Sequence, residues 1–157
     1  MIQRIQTVLF LVASICFGVA CFVPIGTIIT NESYYILTSW VLKENIPNGA
    51  IIQPVYFIGM LQILLGVMSF VAIFLYRNRP AQSKLCVAAI VINCVLLLLM
   101  CWYYPDRVLL RLPQTYGEEI QYSFWVMLSF IPLACLYFAN RFILKDEKKL
   151  RAADMLR

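Results

Sequence analysis

Four long stretches of the chain carry no charged side chain: residues 5–31, 45–76, 85–105 and 120–140. Each meets the roughly 20 residues a helix needs to cross about 30 Å of hydrocarbon. Apolar residues run on continuously within them, as in Leu96-Leu97-Leu98-Leu99-Met100. The strands of a membrane barrel would instead alternate apolar and polar side chains. The pattern predicts an all-α membrane protein, a four-helix antiparallel transmembrane bundle. The spans fall at about Thr7–Ile29, Val55–Tyr76, Leu85–Tyr104 and Ile120–Asn140. Pro54 stands just before the second span, where its missing N–H costs nothing. Pro24 and Pro132 fall inside the first and fourth, where a proline kinks a helix.

Between the spans the pattern changes. Residues 34–54 read YYILTSWVL, KENIPNG and AIIQP: β-prone residues, a Pro-Asn-Gly turn and β-prone residues again. A short β-hairpin in this first outer loop is expected, with an interfacial segment as the alternative, since Tyr34, Tyr35 and Trp40 suit the headgroup region. Trp102, Tyr103, Tyr104, Tyr122 and Trp125 would complete the aromatic belt. After Asn140 the chain becomes basic, and residues 145–157 are expected to extend the fourth helix beyond the membrane. Glu147 and Arg151 stand in the favourable i,i+4 order.

Composition supports a lipid solvent: 62% of residues are hydrophobic, 13% are charged and the mean hydropathy is +0.81. Soluble domains are nearer half apolar and a quarter charged. Charge also orients the chain. With both termini and the 77–84 turn on one side, that side holds Arg4, Arg77, Arg79, Lys84, Arg141, Lys145, Lys148, Lys149, Arg151 and Arg157, ten basic residues against Lys43, Arg107 and Arg111 on the other. The positive-inside rule then puts both ends in the cytoplasm of a multi-pass inner (plasma) membrane protein. Residues 1–29 resemble a signal peptide in that Arg4 precedes an apolar run. The run continues past the Gly18-Val19-Ala20-Cys21 step to Ile29 with no small-x-small site at its end, so retention is expected.

The two ends of the chain are its most specific parts. They are Met1-Ile2-Gln3-Arg4-Ile5-Gln6-Thr7 at the start, and Ala139-Asn140-Arg141, Lys145-Asp146-Glu147 and Leu150-Arg151-Ala152-Ala153-Asp154-Met155-Leu156-Arg157 at the finish. Together they resemble an uncharacterised bacterial family of small four-span integral membrane proteins, catalogued as a domain of unknown function. The resemblance covers essentially the whole chain. It implies the architecture and carries no activity, substrate or catalytic residue.

The residues offer little chemistry. The sequence has no histidine, the commonest metal ligand and general base. All eight acidic residues lie outside the expected spans, which argues against a proton-coupled transporter. The six cysteines contain no C-x-x-C pair and, by depth, do not converge on a metal site; they read as small apolar packing residues. No metal, cofactor or catalytic residue is expected. Nucleic-acid binding is not expected of a tail of residues 141–157 carrying six basic and three acidic side chains and no known module.

Depth along the spans suggests one internal feature. At 1.5 Å per residue, Ser14 and Ser69 lie roughly 10–11 Å from the cytoplasmic boundary and Asn93 about 12 Å. A buried Asn amide needs partners, so Ser14, Ser69 and Asn93 are expected to form a polar layer. It would fix the register of the helices or line a small cavity. Gln62, at roughly 21 Å, and Ser129, near ~16 Å, fall outside that layer and are not level with each other. Gly59 and Gly66 share a face of the second helix and permit close approach. Lys145, Lys148, Lys149 and Arg151 are candidates for anionic headgroup contact or for docking a partner. The sequence favours a non-enzymatic scaffold or accessory subunit of another membrane component, with a small transporter or channel component for a neutral solute as the alternative. Its partners would be the lipid bilayer and a protein met through the outer loops or the tail.

Overall fold

A stripe of buried residues runs down each of four helices at spacings of three and four. In α1 (Ile2–Ala20) it is Gln6, Phe10, Ala13, Phe17 and Ala20; in α2 (Tyr56–Phe74), Gly59, Gln62, Leu65, Ser69 and Ala72. In α3 (Arg79–Leu98) it is Gln82, Cys86, Ala89, Asn93 and Leu96; in α4 (Ile131–Met155), Pro132, Leu136, Ala139 and Ile143. This is one face of a 3.6-residue period. The stripes mix small and polar side chains with a few large apolar ones, which lets helices approach closely. The opposite faces are apolar and exposed: Leu11, Ile15 and Val19 on α1, Ile63, Val67 and Phe70 on α2, Val87, Val91 and Val95 on α3. A soluble protein hides such residues; here the polar ones are inside.

The computed structural model describes residues 2–29, 34–44, 51–54, 56–103 and 119–155, with side chains for 5–29, 34–44, 56–103 and 121–149. The helices close in the order α1–α2–α3–α4, each packed on its two neighbours. Contacts fix antiparallel registers. Ser83 meets Asn140 and Cys86 meets Leu136 between α3 and α4, Gln82 meets Ala72 between α2 and α3, and Gln62 of α2 meets Met100 in the π-helical turn (Leu99–Tyr103) that continues α3. The α2–α3 turn is tight, with a 3₁₀ turn at Leu75–Arg77. Asn78 then caps α3 by accepting from the Ala81 N–H at 3.4 Å, and a proline stands in the helix's first turn.

Three helical stretches, Tyr56–Arg77, Arg79–Tyr103 and Phe124–Lys149, are long and apolar enough to cross a membrane, and Ile5–Ala20 is a shorter apolar helix. The chain is a multi-pass membrane protein whose apolar outer faces suit contact with lipid.

Two expected spans are corrected. The first helix ends at Ala20, and Pro24–Ile29 is strand β1. Pro24 therefore opens a strand and does not kink a helix. Proline cannot continue the helical ladder, and Ile25, Thr27, Ile28 and Ile29 are β-branched. The fourth segment begins as strand β5 (Glu119–Tyr122), passes through a 3₁₀ stretch at Phe124–Ser129 and becomes α4 only at Ile131. Pro132 stands in the first turn of α4, where no N–H is needed, so it starts a helix and does not bend one.

The expected hairpin is part of something larger. Strands β2 (Tyr34–Thr38), β3 (Val41–Glu44) and β4 (Ile51–Pro54) join β1 and β5 in one antiparallel sheet ordered β4-β3-β2-β1-β5. Gly26–Ile29 pairs with Glu119–Tyr122, tying the two ends of the molecule's longer connections together. Ile25, Ile28, Leu37 and Leu42 turn their side chains into the core shared with the helices. The sheet is thus a cap over one end of the bundle. The Pro-Asn-Gly turn at 47–49, Tyr104 and most of the 105–119 loop lie outside the described residues.

Candidate functional site

The cap is fastened by two residues. Thr38 Oγ1 donates to the Val41 carbonyl at 2.7 Å and accepts from the Val41 N–H at 3.1 Å, closing the β2–β3 turn around Ser39 and Trp40. That turn points into the bundle. Ser39, fully buried, donates to the Ala20 carbonyl at 3.3 Å, and the Trp40 indole N–H donates to the Cys21 carbonyl at 2.8 Å. The Ser39 carbonyl in turn accepts the Gly59 N–H at 3.1 Å. Carbonyls at the end of α1 and an N–H in the first turn of α2 have no partner within their own helices. One turn of the sheet satisfies both. Trp40 is therefore half-buried and clamps the cap to the end of α1.

Towards this end the aromatic side chains Phe22, Phe57, Trp102, Phe124 and Trp125 are exposed, and tryptophan is enriched where a membrane meets water. Tyr122 donates to the Cys101 carbonyl at 2.8 Å. Burial pushes its phenol pKa up, and the neighbouring Cys101 thiol adds to the rise.

The interior holds the polar side chains in a different arrangement from the expected layer. Ser14 donates to the Gly66 carbonyl across the α1–α2 contact at 3.1 Å, and Ser69 donates to Leu65 in its own helix at 2.8 Å. Neither is bonded to Asn93, so the expected serine–asparagine bonds are not made: both hydroxyls find a backbone carbonyl closer at hand. Asn93 faces the bundle interior with none of its surface exposed, and neither its amide nitrogen nor its oxygen has a hydrogen-bond partner. Gly66 lies against Phe17 and Ser14 of α1, as its size permits.

A second polar group is one that depth along the spans does not reveal. Gln62 Nε2 and Ser129 Oγ both reach the Met100 sulfur, at 4.0 and 3.9 Å, although depth places the two residues at different levels. The long, flexible Met100 side chain spans the gap between them. The Gln62 carbonyl oxygen is left without a partner. Each buried serine described, Ser39, Ser69 and Ser129, donates to a carbonyl or a sulfur, so none faces a base. Among the described residues no three His, Cys, Asp or Glu side chains group as a metal site.

At the other end, Asp146 links three helices. It accepts from Gln6 Nε2 of α1 at 3.1 Å and lies 3.9 Å from Arg79 of α3. Gln82 Nε2 donates to the Ala72 carbonyl at 2.8 Å, and Ser83 donates to Asn140 at 2.8 Å. Lys145, Lys148 and Lys149 are exposed on α4, as are Arg141, Lys84 and Arg77 near the same end. Arg151 lies within α4, with its side chain outside those described.

Among curated proteins none matches this chain. A family model described as a domain of unknown function, DUF4293, matches residues 2–156. A match from the first turn of α1 to the last turn of α4 takes in the bundle, the cap and the basic end together, and the chain belongs to the DUF4293 family.

Proposed function

We propose that the protein is a non-enzymatic scaffold or accessory subunit for another membrane component, with four spans and both termini in the cytoplasm of the inner membrane. The observation that carries this reading is the cap: a five-stranded sheet clamped to the helix ends through Ser39 and Trp40. A sheet so anchored presents a rigid surface just beyond the exposed aromatic side chains. The buried serines described each donate to a carbonyl or sulfur acceptor, as packing residues do. At 19 residues α1 is about 28 Å long, close to the hydrocarbon thickness, which supports a fourth span. Its neighbours on both sides are span-length helices. The exposed Lys145, Lys148 and Lys149 and, by sequence, Arg151 form the cytoplasmic docking or headgroup-contact surface.

Affinity capture from native membranes tests the docking surface, comparing the full chain with one ending after Leu144. The tail variant is expected to lose at least one membrane partner; an identical set of partners rules out docking through the tail. Reporter fusions after Glu44, Asn78 and Met155 test orientation, with the first expected outside and the other two inside.

A small transporter or channel component for a neutral solute is the second reading, favoured by the unpartnered atoms of Gln62 and Asn93 in an interior without carboxylates or basic groups among its buried residues. Osmotic shrinkage of proteoliposomes in glycerol or urea tests it. Rates equal to those of empty liposomes discard it.

A further inference from the structure

The geometry points to a buried water-binding site in the core of the bundle, centred on Asn93 and continued at Gln62. Asn93 can donate two hydrogen bonds and accept two, yet both of its side-chain heteroatoms are fully enclosed with no protein partner. Leaving such a group unmatched in a lipid-surrounded interior is among the more expensive things a fold can do. Nothing in packing demands an amide here: the other buried stripe residues of α3 include Cys86, Ala89 and Leu96, any of which would fill space without a polar atom.

The surroundings define the guest. Gln62 meets Met100 across the α2–α3 contact. The tight turn starts α3 at Arg79 beside the end of α2 at Phe74, so Asn93, fourteen residues into α3, comes roughly level with Gln62, twelve residues back from Phe74. The Gln62 carbonyl oxygen is buried and without a partner, so it is left to accept. A guest at Asn93 must therefore both donate and accept within a small volume. The buried polar side chains described are all amides and hydroxyls, so the guest is uncharged. Water meets these terms, and buried waters typically hold two to four such groups. The α3–α4 contacts Ser83–Asn140 and Cys86–Leu136 bring Ser129, whose hydroxyl sits beside the Met100 sulfur, to the same level, so it adds a further polar group to the site.

The test uses the wild-type chain in lipid nanodiscs and water itself as the probe. Ile92–Asn93 is the only Ile–Asn step in the sequence and Arg77–Asn78 the only Arg–Asn step, so paired isotope labelling assigns both asparagines without a substitution. Magnetisation transfer from water to the Asn93 side-chain amide is expected within roughly threefold of that to the exposed Asn78 amide. Transfer as weak as that to the backbone amide of Leu96 overturns the site. A density map that resolves ordered solvent gives a second reading: a peak at hydrogen-bond distance from the Asn93 amide supports the proposal, and bare density there, with waters visible elsewhere, refutes it.

Discussion

The indole of Trp40 lies so close over Gly59 that a Cβ at position 59 would stand 2.8 Å from three atoms of its six-membered ring. The ring is rigid and its N–H is committed to Cys21, so it cannot swing aside. Glycine here is a condition for docking the cap onto α2. Gly59→Ala is expected to lower stability by about 1–3 kcal/mol through overpacking. Thermal unfolding in micelles, followed by tryptophan emission, reads the shift; an unchanged midpoint would show that Trp40 is not held in place.

Trp40→Phe probes the clamp from the other side. Phenylalanine keeps much of the apolar contact and removes the indole donor, leaving the Cys21 carbonyl at the end of α1 short of its partner. A loss of about 1 kcal/mol is expected. It should be smaller than the loss in Gly59→Ala and should not add to it, because both substitutions act on one contact. A double-mutant cycle measures the coupling.

Gly26 answers to the same kind of constraint in the sheet. A Cβ there would lie 2.9 Å from the Gln121 carbonyl oxygen, a backbone atom in the neighbouring strand. Strand β5 would have to withdraw from β1 to make room. Gly26→Ala is expected to speed amide hydrogen exchange across Gly26–Ile29 and Glu119–Tyr122 while leaving the Gln62–Leu65 amides of α2 protected. Equal exchange in both strands before and after the change would refute the crowding.

How much of this was legible depends on whether the signal is local. Spans two and three follow from their uncharged runs because a continuous apolar run such as Leu85–Tyr104 far exceeds the length of a buried strand. The first and fourth uncharged runs are longer than the helices they contain, because each also holds a strand. An uncharged stretch does not distinguish helix from buried strand, and the discriminating residues, Pro24 with its β-branched followers, were outweighed by continuity. The pairing of β1 with β5 joins residues ninety or more positions apart, and no local pattern carries that. Asn93 was legible as a buried amide but not as an unpartnered one, since hydroxyl orientation is decided by the nearest carbonyl.

At the basic end, Asp146 draws α1 and α3 onto α4. Its partly buried carboxylate holds Gln6 by a hydrogen bond and Arg79 by a longer ion pair. Asp146→Ala is expected to cost about 1 kcal/mol, since ion pairs near the surface contribute little and the Gln6 bond supplies the larger part. Asp146→Asn retains an acceptor for Gln6 and should cost less than half as much. Equal losses in the two variants, measured by thermal unfolding at low and high salt, would assign the effect to Arg79 instead.

Gln82 provides the most specific test of the α2–α3 turn. Ala72 lies near the end of α2, where carbonyls run out of helical partners, and Gln82, almost wholly buried, donates to it from the next helix at 2.8 Å. The side chain thus does across the turn what a capping residue does within one helix. Gln82→Leu fits a similar volume but strands the Ala72 carbonyl in an apolar setting, and is expected to cost about 1–2 kcal/mol. Gln82→Glu presents an acceptor to an acceptor and must take up a proton to donate. Its stability should therefore fall as pH rises through the carboxyl's titration and recover in acid, whereas the leucine variant should show no such dependence. A pH series of unfolding midpoints separates the two, and matching profiles would mean that the Gln82 bond does not fasten the turn.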